Sequence, residues 1–124
     1  MRIERLVGFA VLAGFFTSAQ AVSVICPNPG RIQQGTDFSY SATAPNGRAW
    51  HGEQVGTAKV DPTTYTFKGA SIAATTIACH YKGEDGAALT LKLSAERVEP
   101  GSQDKWGDGN CDSNKPTVCA FTFP

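Results

Sequence analysis

From residue 37 onward, apolar and polar residues alternate over much of the chain, and a period of two is what a half-buried β-strand produces. In "TDFSYSATA" Phe38, Tyr40 and Ala42 fall on one side, and Asp37, Ser39, Ser41 and Thr43 on the other. "AALTLKLSA" sets Ala87, Leu89, Leu91, Leu93 and Ala95 against Ala88, Thr90, Lys92 and Ser94, and "TTYTFK" sets Tyr65 and Phe67 against Thr64, Thr66 and Lys68. Each strand has one face to bury, so a sheet packed on another layer is expected. "SIAATTIACHY" is apolar on both faces, with Ile77, Cys79 and Tyr81 on one and Ile72, Ala74 and Ala78 on the other, which predicts one central strand. It leads through the acidic, glycine-bounded "KGEDG" into the Leu89 strand, a hairpin signal. Further turns are marked by "CPNPG", "APNG", "VDP" and "EPGS". No stretch after residue 21 has capped helical periodicity, and only "RIQQG" has room for a helical turn. The pattern predicts a single all-β domain over residues 22–124, a small antiparallel sandwich or barrel of about six to eight short strands.

The first residues follow a different rule. Met1 to Arg5 carry charge, Leu6 to Phe16 are uniformly apolar, and "TSAQA" follows. An apolar run this short does not span a bilayer, and Ala19 and Ala21 fit an A-x-A cleavage site, so residues 1–21 are expected to be a cleaved signal peptide. A buried helix is the competing reading, but a helix with no polar face needs a larger surrounding core than this chain supplies. Export places the mature chain in the periplasm or outside the cell. Cys26 follows Val24 and Ile25 rather than small residues, which argues against lipid attachment.

Of 124 residues, removal of 21 leaves 103; the 11 Lys and Arg lose Arg2 and Arg5, and the 11 Asp and Glu lose Glu4. The balance is close to neutral and spread along the chain, offering no electrostatic footprint for nucleic acid or an anionic membrane. Cys26, Cys79, Cys111 and Cys119 all remain, an even number in an oxidising compartment, so two disulfides are expected. Four cysteines allow three pairings; we favour Cys111–Cys119 as a local loop and Cys26–Cys79 as a long-range tie. In the chain-entropy account these contribute about 2.6 and about 4 kcal/mol.

Candidate chemistry thins out on inspection. Asp108, Asn110, Asp112 and Asn114 alternate like the start of an EF-hand loop, but Ser113 stands where the sharp turn needs glycine and Cys119 where the bidentate glutamate belongs. His51-Gly52-Glu53 has the H-x-E of zinc deaminases without the P-C-x-x-C. No G-x-S-x-G is present, and Glu84-Asp85, the adjacent acidic pair, falls in a hairpin loop. No catalytic residue, metal or cofactor is assigned. Surface recognition remains: Trp50 and Trp106 sit among glycines and charges, as a half-exposed indole would, and tryptophan is enriched at binding hot spots. The competing reading has each indole capping the core with its N–H bonded. The candidate binding set is Trp50, His51, Trp106, Asp108, Asn110 and Asp112.

Taken together, Cys26-Pro27, "AWHG", "TFKGASI", "IACHYKG" and the closing "WGDGNCDSN" and "CAF" resemble a family of small exported bacterial proteins of uncharacterised function. The resemblance implies a disulfide-bonded β-domain and brings no active site. The function expected is therefore that of an exported, non-enzymatic binding module acting through protein contact, such as an inhibitor, an immunity protein or an accessory subunit of an envelope assembly. A carbohydrate- or cell-wall-binding domain using Trp50 or Trp106 as a stacking surface is the alternative, and a small hydrolase relying on His51 or His80 comes third.

Overall fold

The structure, a computed structural model, describes residues 22–36, 38–45, 47–55, 60–101 and 105–123. The expected signal peptide, residues 1–21, lies outside the described residues, as does Asp37. The architecture is all-β and antiparallel. Its strands are β1 (Val22–Val24), β2 (Gln33–Gln34), β3 (Ser39–Thr43), β4 (Ala49–Val55), β5 (Thr66–Ala73) and β6 (Thr76–Lys82). These are followed by β7 (Ala88–Ser94), β8 (Glu99–Pro100), β9 (Trp106–Gly107), β10 (Asn110–Asp112) and β11 (Phe121–Phe123). Eight of them form one sheet in the order β2-β3-β4-β7-β6-β5-β10-β9, and β1-β11-β8 form a second.

Alternation decides what each strand buries. Tyr40 and Ala42 of β3, Trp50 and Gln54 of β4, Ile77, Cys79 and Tyr81 of β6, and Leu89, Leu91 and Leu93 of β7 are all buried. The short sheet covers that face: Phe121 and Phe123 of β11 are buried, and Phe121 meets Trp50 edge-on with ring centroids 5.8 Å apart. The result is the two-layer, sandwich-like arrangement the sequence pattern predicts. Both favoured disulfides are present, Cys26–Cys79 and Cys111–Cys119, and all four cysteines are fully buried. Gln54 is buried without being orphaned, because its Oε1 accepts from the Tyr40 hydroxyl at 2.5 Å and from the Val60 amide at 3.2 Å.

Two expectations need correction. "SIAATTIACHY" is not one central strand but the adjoining ends of β5 and β6, which pair through Ala73↔Thr76 around Ala74 and Thr75. Ala74 takes a positive φ of 56°, a turn conformation with no glycine or asparagine to announce it. The small strands of the second sheet and of the β9–β10 hairpin also raise the strand total above the six to eight expected, since two- and three-residue pairings leave too short a pattern to read. The helical turn near "RIQQG" forms one step earlier, as a 3-10 turn over Pro29–Arg31 capped by Asn28, whose side chain accepts from the Gly30 amide at 2.9 Å.

Candidate binding surface

The six candidate residues separate into three places. Trp50 and Trp106 face inward, with 1% and 8% of their surface accessible, and the Trp106 indole N–H donates to the Ala120 carbonyl at 3.0 Å. Of the two readings of these indoles, half-exposed or capping the core, the second holds for both, because Trp50 and Trp106 stand at inward positions of β4 and β9. Neither offers a face on which a sugar could stack.

The acidic stretch is a tight hairpin. Gly107 pairs with Asn110 across the two-residue loop Asp108-Gly109, and both loop residues have positive φ, 51° and 81°. That is the signature of a type I′ turn, for which Asp-Gly is a preferred pair. The Gly109 carbonyl accepts from the Ile72 amide at 2.7 Å, and a Cβ on Gly109 would approach the Ile72 oxygen to 2.8 Å, so only glycine seats the tip against β5. Asn110 and Asp112 project outward from β10 about 6.5 Å apart along the strand, spreading oxygens that a calcium loop would gather around one ion. Among the described residues no group of three or more His, Cys, Asp and Glu side chains could hold a metal ion.

His51 lies on the outer face of the large sheet. β4, which carries His51 and Glu53, is an interior strand between β3 and β7. Cross-strand pairing places Ser41, His51, Lys92, Ala78, Ser71 and Asn110 in one continuous row. The adjacent row runs Ser39, Glu53, Thr90, His80 and Gly69 to Asp112. Three of the six candidates, His51, Asn110 and Asp112, therefore share a shallow polar face of short side chains.

On this face Ser71 Oγ lies 3.1 Å from His80 Nε2, and His80 Nδ1 lies 3.3 Å from Thr90 Oγ1. Partial burial, followed by the nearby Lys92 charge, holds the His80 pKa below the ordinary histidine value. A neutral imidazole beside a serine has part of a hydrolase triad, but its third member is a hydroxyl where a carboxylate would stabilise an imidazolium. Outward-facing side chains of a sheet also have no backbone amides aimed at them, since those are spent in the ladder.

The remaining place holds residues that sequence reasoning passed over. A hollow of about 570 Å³ opens between the segment after β1 and the β3–β4 turn. Ile25 and Pro27 form one wall, Ala44 and Pro45 the other, and the edge of Trp50 contributes to the floor. The first wall is pinned twice to β6, by the Cys26–Cys79 disulfide and by the Tyr81 hydroxyl donating to the Pro27 carbonyl at 2.7 Å. The second is closed by Ala44 N–H to Arg48 O at 2.8 Å and Gly47 N–H to Ala44 O at 2.9 Å. Ile25, 42% exposed, is one of two large apolar side chains left in solvent among the described residues, the other being Val55 at 71%. The signal was in "VSVI": alternation that buries Val24 turns Ile25 outward. Pro27 and Pro45, within the turn stretches "CPNPG" and "APNG", carry no such signal.

The chain belongs to the family described as "Protein of unknown function (DUF3757)", whose profile matches residues 19–122. No match is found among curated proteins or among solved structures. Among the described residues no helix is long and apolar enough to cross a membrane.

Proposed function

We propose that this chain is an exported bacterial binding module, periplasmic or secreted, that acts without catalysis by docking a protein partner in the hollow beside Trp50. The observation that carries this reading is an apolar recess with an exposed Ile25 on its rim and walls fixed before any partner arrives. Preformed apolar recesses with anchored walls bind with little ordering cost, which is what an inhibitor or an accessory subunit requires. The two disulfides support maturation in an oxidising compartment. The carbohydrate alternative loses its main support with both indoles buried.

The test is a comparative capture from envelope extract with oxidised protein and its Ile25→Asp variant, which changes a rim side chain and leaves the core intact. A partner retained by the parent protein and lost by the variant is expected. Equal retention by both would move the contact elsewhere on the molecule.

A further inference from the structure

The hollow beside Trp50 does not end at its apolar walls. A second cleft of about 310 Å³, lined by Gly30, Gln33 and Ala42, adjoins it and shares Arg31 and Thr43 with it. Gln33 of β2 pairs with Ser41, and the cleft lies between the preceding Pro29–Arg31 turn and the end of β3, where Thr43 is exposed and Ala42 is buried. Arg31 is exposed, lines both hollows and forms no ion pair among the described residues. The recess takes an apolar side chain, the adjoining cleft continues the groove beyond it, and a guanidinium without an ion-pair partner selects a carboxylate.

Resting on the protein-contact reading above, we infer that the occupant is an extended segment of a partner protein in which an apolar side chain and an Asp or Glu lie within three residues of each other. It runs from the recess into the adjoining cleft past Thr43, seats the apolar side chain between Ile25 and Pro45, and pairs its carboxylate with Arg31. Charge complementarity favours this segment over a neutral one. Because Arg31 lines both hollows, the carboxylate lies close to the apolar anchor.

Random dodecapeptides displayed on phage would be selected against the oxidised protein, and the best sequences made synthetically and titrated by fluorescence anisotropy. The expected consensus is an apolar residue with an acidic neighbour, bound at least tenfold more weakly by Arg31→Glu and recovered on that variant when the peptide acid is replaced by lysine. Selected peptides without an acid, or a change under twofold on Arg31→Glu, would overturn the inference while leaving the docking site intact if Ile25→Asp still abolishes binding. Binding that ignores Ile25→Asp would remove the docking site itself. Displacement of the peptide by sodium decanoate at micromolar concentration, or self-association of the protein that Ile25→Asp abolishes, would assign the recess to a small amphiphile or to a second copy and equally overturn the inference.

Discussion

Replacing Trp106 separates a structural indole from a recognition element. The ring is 8% accessible, its N–H bonds the Ala120 carbonyl, and it sits on a two-residue strand paired with β10. A buried tryptophan withdraws about 150–250 Å² from water, worth about 4–6 kcal/mol at about 25 cal/mol per Å², of which an alanine keeps a part. Trp106→Ala is therefore expected to cost about 3–5 kcal/mol. Loss of the indole donor leaves the Ala120 oxygen with the Gly101 amide at 2.8 Å as its remaining partner, and Trp106→Phe isolates the lost bond at about 0.5–1.5 kcal/mol together with the change of shape. Against a total of about 5–15 kcal/mol for a domain of this size, the alanine variant should unfold at markedly lower denaturant with unchanged slope. Guanidinium titrations of oxidised protein followed by circular dichroism would measure both. A loss below about 1 kcal/mol for Trp106→Ala would refute the burial argument and return the ring to the surface.

Other perturbations follow from the same contacts. Removing Cys26–Cys79 by double alanine substitution closes off a 53-residue loop constraint and should cost about 4 kcal/mol, against about 2.6 for the eight-residue Cys111–Cys119 loop; denaturation of the two variants should preserve that order. Gly109→Ala meets both a positive φ and the Ile72 oxygen, so a loss above about 1 kcal/mol is expected by thermal melting, whereas Gly47→Ala, also at positive φ but with open space for a Cβ, should cost less. The lowered pKa of His80 means that the unfolded chain binds its proton more readily than the folded one. Its contribution is constant above the ordinary value of 6.5 and turns against folding as pH falls below it, so His80→Asn should flatten the stability profile between about pH 7 and 5.

Much of the layer structure was legible because Leu89, Leu91 and Leu93 alternate so regularly that one face of β7 could only be core. Of the three pairings that four cysteines allow, the favoured local loop and long-range tie are the ones present. What could not be read were features made by pairing rather than by local pattern. Ala74 turns the chain because β5 and β6 hold register on either side of it, not because alanine favours φ > 0. Trp50 and Trp106 look exposed among their polar neighbours, yet a strand places neighbours on opposite faces, so flanking glycine and charge say little about a side chain's own burial. The groove was hidden for a similar reason: Ile25 and Pro45 lie on different segments, which come together through the β2–β3 pairing and the anchoring of Cys26 and Pro27 on β6.

The most direct test of the central claim is site-specific photo-crosslinking in intact cells, with p-benzoylphenylalanine placed singly at Ile25, at Ala78 on the polar sheet face and at Val55. The docking account predicts one protein adduct from position 25, weakened by Arg31→Glu on the same chain, and none of comparable yield from positions 78 or 55. An adduct arising mainly from position 78, or equally from all three, would contradict it.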